Sequence, residues 1–220
     1  MITKRIKIQV NEEIGQVSAI LNKPQTSTQF VIIGHGAGAG MEHSFMEALA
    51  QAFFNANIST LRYQFPYMEK GKGAPDRPRK CHATIRAVIA KAIELVPDQK
   101  FYLSGKSFGG RMASQVAAND IDKRIKGLIY FGFPLHAPGR ASLDRAVHLP
   151  NIKIKQLFLQ GERDKLANVT LMKTLAKSLN KSKMIFYPWA DHSFKVPKKS
   201  GTSQDAIILD FILQFKKWAK

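Results

Sequence analysis

Ser107 stands in Gly105-Lys106-Ser107-Phe108-Gly109, between the apolar run Phe101-Tyr102-Leu103 and a stretch of helix formers, Arg111-Met112-Ala113-Ser114-Gln115-Val116-Ala117-Ala118. A strand that turns sharply into a helix leaves almost no room around the turn, so the residues two before and two after the serine must be very small. Gly105 and Gly109 meet that demand, and the pattern predicts a nucleophile elbow. A serine hydroxyl at neutral pH is a poor nucleophile; it needs a base to take its proton and a carboxylate to orient that base. After such an elbow the chain order is serine, acid, histidine. Leu157-Phe158-Leu159-Gln160-Gly161 reads as a buried strand, followed by Glu162-Arg163-Asp164. Asp164 is the predicted acid, although it could instead cap a helix beginning near Asn168, and Glu162 is an alternative. The strand Met184-Ile185-Phe186-Tyr187 leads into Pro188-Trp189-Ala190-Asp191-His192-Ser193-Phe194, which makes His192 the predicted base and Asp191 a turn residue.

Acyl transfer also needs backbone donors for the developing oxyanion. One is the amide after the serine, here Phe108; the other comes from a loop after an earlier strand. Phe30-Val31-Ile32-Ile33 runs into Gly34-His35-Gly36-Ala37-Gly38-Ala39-Gly40, where Ala37 is the second predicted donor and Gly36 and Gly38 let the backbone approach substrate. The same loop matches a loose dinucleotide-binding fingerprint, Gly34-x-Gly36-x-x-Ala39. That fingerprint expects an acidic residue about twenty positions on. Here the next strand, Ile58-Ser59-Thr60-Leu61, ends in Arg62, which would suit only a 2′-phosphate. Two strands precede the loop, whereas a dinucleotide fold usually begins with it, so no cofactor is expected.

Strand, His-Gly loop, helix, strand, elbow, Asp and His in this order resemble the α/β-hydrolase superfamily over nearly the whole chain. More narrowly, Arg62-Tyr63-Gln64-Phe65-Pro66-Tyr67-Met68, Pro75-Asp76-Arg77, Gly105 to Ser114 and Phe133-Pro134-Leu135-His136 resemble the testis-expressed and NSL-complex-subunit hydrolase-like family, a relative of the dienelactone hydrolases. The resemblance implies the fold and a serine-hydrolase site; it supplies no substrate.

The surrounding elements must hold these residues at one edge of a sheet. The 220 residues, 45% of them apolar, fit a single α/β domain spanning 1–220. Arg5 to Val10 alternates as an edge strand, with residues 16–21 as its antiparallel hairpin partner. From residue 30 onward strands and helices alternate, which predicts a mainly parallel sheet covered on both faces, with helices near 42–56, 79–96, 108–119, 170–180 and 203–218. Cys81, Ile85, Val88, Ile89, Ala92, Ile93 and Val96 share one helical face, so the lone cysteine is a core residue and no intrachain disulfide can form. Ile207, Ile208, Phe211, Ile212, Phe215 and Trp218 form a similar packing face on the last helix.

No apolar run approaches the length of a membrane span, and the six histidines show no zinc-ligand spacing. A cytoplasmic protein without metal is expected. The net charge of +18 admits an anionic substrate or, alternatively, a binding scaffold that meets nucleic acid or another anionic partner. Basic and acidic residues in the loops at the predicted site keep the two-to-one ratio of the whole chain, so no basic patch is concentrated there. Phe65 and Tyr67 are expected to wall an acyl pocket, with residues 70–73 as its rim. His136 and His148 stand where substrate contact is conceivable, though a structural role is the simpler expectation for each. The short stretch between Phe133 and Ile154 leaves room for little or no lid. The expected activity is cleavage of a small carboxylic ester or thioester through an acyl-serine intermediate.

Overall fold

The computed structural model describes residues 2–220. Successive side chains of an apolar strand point to opposite faces of its sheet, so a strand apolar throughout must be covered on both sides. In β3 (Gln29–Gly34), Phe30 and Ile32 enter one core while Val31 and Ile33 enter the other. The first core contains Cys81, Ile85 and Val88 of α3 (Pro78–Leu95), Met112 and Val116 of α4 (Phe108–Asn119), and Met172 and Leu175 of α5 (Val169–Lys177). The second contains Phe45, Leu49 and Phe53 of α1 (Ser44–Asn55), with Ile208, Phe211 and Phe215 of α6 (Gln204–Ala219).

The remaining strands are β1 (Ile2–Asn11), β2 (Gly15–Lys23), β4 (Ser59–Tyr63), β5 (Lys100–Lys106), β6 (Ile125–Phe131), β7 (Lys155–Gly161) and β8 (Ser182–Tyr187). They form one eight-stranded sheet in the order β1-β2-β4-β3-β5-β6-β7-β8. β1 and β2 form the expected antiparallel hairpin, with Ile8 opposite Val17, and β2 is antiparallel to β4. All other neighbours are parallel. The carboxyl ends of β3, β5, β7 and β8 therefore open on one edge, where ligands of such sheets bind.

Helix positions agree with the apolar periodicity, and local chemistry sets their ends. Asn168 caps α5 by accepting from the amide of Leu171 at 3.1 Å, and Ser203 caps α6 by accepting from Ala206 at 3.1 Å. The fifth helix ends at Lys177 rather than near 180. Two elements were not singled out in the sequence. β6 is interrupted by Lys126 and Gly127, which obscure its apolar pattern, and the four-residue α2 (Pro66–Glu69) starts at a proline. Between β6 and β7 the chain makes two short turns at Asp144–Ala146 and Leu149–Asn151 and sends Leu135, Ala146, Leu149 and Ile152 into the core. Among the described residues no cap is inserted there.

Three stretches of backbone meet where β5 passes into α4. A methyl group added at Gly105 would lie 2.3 Å from the backbone of Gly109 and Gly110, and one added at Gly109 would lie 2.5 Å from the carbonyl oxygen of Gly34. Backbone cannot yield as a flexible side chain can. Gly109→Ala is expected to destabilise the protein by about 3 kcal/mol, the upper range for overpacking. The urea midpoint would fall while Gly73→Ala, with nothing within 4 Å of its added methyl, leaves it in place. Equal midpoints for the two variants would contradict this account of the packing.

Candidate active site

The tight packing places Ser107 in a conformation that L-residues rarely adopt, with φ 49° and ψ −112°. Its hydroxyl is thereby turned out of the strand-to-helix junction. His192 Nε2 lies 2.8 Å from Ser107 Oγ, and His192 Nδ1 lies 2.6 Å from Asp164 Oδ2. Ser107, His192 and Asp164 thus form one continuous hydrogen-bonded line, although they lie beyond the ends of three different strands, β5, β8 and β7. In such a line an imidazole can take a hydroxyl proton while the carboxylate holds its tautomer.

Asp164 is buried, and its charge is met by donors. Gln160 Nε2 donates to Oδ2 at 2.6 Å, and the amide of Leu166 donates to Oδ1 at 2.8 Å. Gln160 was not foreseen, since a glutamine at a strand end carries no distinctive sequence signal. The alternative acid, Glu162, is exposed, and the cap of α5 is Asn168 rather than Asp164. Asp191 accepts the amides of Ser193 and Lys195 at 2.8 and 2.9 Å, as a turn residue does.

The Gly34-to-Gly40 loop borders the serine: a methyl added at Gly36 would come 4.0 Å from Ser107 Cβ. The Ala37 carbonyl accepts from Tyr67 Oη at 2.8 Å, and the Gly36 carbonyl lies 2.7 Å from His35 Nδ1. The amide of Phe65 donates to His35 Nε2 at 3.0 Å, so Nδ1 carries the proton and donates. In a trans peptide the N–H points opposite to the C=O. Tying these two carbonyls back therefore turns the amides of Ala37 and Gly38 away from the protein interior. Phe108 is the first residue of α4, and its N–H has no helical carbonyl to meet.

Phe65 and Tyr67, expected at the substrate, and His136, weighed as a substrate contact, lie elsewhere. Phe65 and Tyr67 are fully buried and do not line the cavity beside Ser107. They turn inward and pack their rings on His35 and Phe108, at centroid separations of 4.9 to 6.2 Å. They support the loop from behind. His136 is also buried, because its Nε2 accepts the amide of Asn168 at 2.9 Å and its Nδ1 lies 2.9 Å from the Ala137 carbonyl. His148 pairs with Ser114 Oγ at 2.7 Å, away from the cavity.

The cavity itself measures about 460 Å³. Its walls include Gly36, Ala37, Gly38, Ser107 and His192, as expected, but also Phe45 and Met46 of α1, together with Leu166, Lys106 and Lys195. The dinucleotide alternative loses its arginine. Arg62 is buried and donates to the Met41 carbonyl at 3.1 Å, with Glu47 at 4.0 Å.

An α/β-hydrolase domain family matches residues 27–220. The chain belongs to that family. Its fold is similar to that of a dienelactone hydrolase from Anabaena variabilis, with a TM-score of 0.79 at 17% identity over 98% of this chain and 97% of the other. A serine hydrolase without a lid from Xanthomonas campestris gives 0.76 at 16% identity, covering 98% and 94%. The esterase domain of a Rhodothermus marinus protein gives 0.73 at 15% identity, covering 100% and 99%. No described helix of this α/β-hydrolase is long and apolar enough to cross a membrane.

The buried His35 makes stability depend on pH. Burial lowers its pKa to about 4, whereas an unfolded histidine takes up its proton near 6.5. Between these values the unfolded chain binds more protons than the folded one, so this contribution is fully present above about pH 6.5 and is lost as pH falls towards 4. His148, lowered to about 4 by burial and by Arg111 and His82, acts with the same sign. Urea midpoints should therefore decline between pH 6.5 and 5, above the range where carboxylates titrate. A flat profile over that interval would count against neutral buried histidines.

Proposed function

We propose that the protein is a serine hydrolase that cleaves carboxylic esters or thioesters through an acyl-Ser107 intermediate. The hydrogen-bonded line from Asp164 through His192 to Ser107, opening on a cavity, is the observation that carries this reading. His192 Nε2 takes the proton from Ser107 Oγ as the oxygen attacks the acyl carbon. The amides of Ala37 and Phe108 receive the negative charge that develops on the carbonyl oxygen. The imidazolium then returns its proton to the departing alkoxide or thiolate. In the second half, His192 activates water, which releases the acid and regenerates Ser107. Asp164 accepts from Nδ1 and holds the imidazole in the tautomer that presents Nε2 to the serine.

Leu166, Phe45 and Met46 supply the apolar wall for an acyl group, in the place first assigned to Phe65 and Tyr67. Lys195 lines the cavity and no carboxylate does among the described residues, which supports acyl substrates that carry negative charge. The motif resemblance to the testis-expressed and NSL-complex-subunit family supports a hydrolase of that branch, and a lone buried cysteine, which can form no intrachain disulfide, fits a cytoplasmic location.

A fluorophosphonate probe reacts with activated serines. Wild type should be labelled, while folded Ser107→Ala and His192→Ala should not. Absence of labelling in folded wild type would reject the hydrolase and turn attention to a basic binding scaffold, tested by salt-dependent titration with nucleic acid. Tyr67→Phe removes the donor that ties back the Ala37 carbonyl. It should lower kcat for p-nitrophenyl acetate on the order of 10-fold with KM unchanged, less than the 10²–10³ expected for loss of an oxyanion donor itself. An unchanged kcat would show that the loop keeps its orientation without Tyr67.

A further inference from the structure

The loop that carries His192 hangs from β8, the strand at the edge of the sheet, while Ser107 follows β5, three places inward. Two of its residues have left-handed backbones, Trp189 at φ 64° and Phe194 at φ 61°, so the loop does not rest in an ordinary conformation. Its carbonyls are held one by one. The Ala190 carbonyl accepts the amide of Arg163 at 2.9 Å, the Asp191 carbonyl accepts the amide of Phe194 at 2.9 Å, and the Ser193 carbonyl accepts from Gln204 Nε2 at 2.6 Å. The His192 carbonyl accepts from Lys106 Nζ at 2.6 Å.

Lys106 is the neighbour of Ser107 in the elbow, so the group that holds the base moves with the nucleophile. To reach the loop its side chain must pass the end of β6. There Gly132, at φ 72°, leaves the path open: a methyl at that position would lie 3.1 Å from Lys106 Nζ and 3.4 Å from the His192 carbonyl oxygen. The ammonium also lies 5.6 Å from the centre of the Phe194 ring. Burial lowers its pKa to about 8, while Asp164 and Asp191 oppose that shift, and it is still charged at neutral pH. Among the described residues it makes no ion pair within 4 Å, so the carbonyl of His192 is its direct polar partner.

We propose that Lys106 is a positioning residue that latches the His192 backbone to the nucleophile turn and so sets the distance between His192 Nε2 and Ser107 Oγ. The proposal rests on the serine-hydrolase reading. Misplacement of a reacting group by about 1 Å can cost on the order of 10² in rate, so a loosened latch acts on the chemical step rather than on binding.

Fluorophosphonate labelling followed over time gives an inactivation rate constant and a binding constant separately. Lys106→Met, a side chain of similar length without a donor, should lower the inactivation rate constant roughly 10- to 100-fold and leave the binding constant within about twofold. Because Lys106 acts through His192, the slow residual hydrolysis of p-nitrophenyl acetate by His192→Ala should not fall further in the double variant. Should Lys106→Met fail to fold, Lys106→Gln, whose amide stops short of the His192 carbonyl, carries the same expectations. An unchanged inactivation rate, a loss confined to binding, or an equal loss in the His192→Ala background would each overturn the latch while the hydrolase reading stands. Wild type that takes no label would overturn both.

Discussion

The contact between the backbones at Gly34, Gly105 and Gly109 governs the site. A Cβ on Gly105 or Gly109 would fall within 3 Å of backbone, and one on Gly34 would lie 3.3 Å from Gly109 Cα, so strand β3, strand β5 and helix α4 approach more closely than side chains allow. That approach holds Ser107 at positive φ, a conformation that costs free energy and persists only where its surroundings enforce it. The same contact brings the Gly34-to-Gly40 loop beside the serine. Ser107 and the loop amides are therefore placed by one packing event.

Asp164 and His192 are placed differently, by hydrogen bonds beyond strand ends. Asp164 is buried yet receives donors on both oxygens, which is what a charged carboxylate away from water requires. His192 sits in a loop that has left-handed backbone at Trp189 and Phe194 and is tied at the carbonyls of Ala190, Asp191, His192 and Ser193. Such ties matter because the loop leaves an edge strand, with a neighbour on one side only. The aromatic layer of Phe65, Tyr67 and Phe108 has a similar purpose behind the Gly34-to-Gly40 loop, where it buries His35 and keeps its ring neutral.

Much of this was legible along the chain because the relevant constraints are local. Glycines two before and two after a serine report a turn that tolerates no side chain, and a strand followed by Asp or His reports a residue at the carboxyl edge of a parallel sheet. Helical faces such as Cys81 to Val96 repeat at the period of the helix and need no partner to be recognised. Phe65 and Tyr67 were misplaced for the opposite reason. A residue just beyond a strand end can turn towards the cavity or towards the core, and spacing does not distinguish the two. Phe65 turned inward because its amide meets His35, and Tyr67 because its hydroxyl meets the Ala37 carbonyl.

From sequence alone came the order of the elements apart from β6 and α2, the glycine-flanked turn at Ser107, Asp164 and His192 beyond later strands, and the Gly34-to-Gly40 loop. Each depends on which residues occupy a turn or a strand end. Tertiary structure alone decided the wall of the cavity, where Phe45 and Met46 of α1 stand beside Leu166, and the links from Gln160 to Asp164 and from Lys106 to His192. Those contacts join residues whose neighbours in the chain carry no trace of the meeting, because the twist of the sheet and the crossing of its connections bring them together only once both cores have closed.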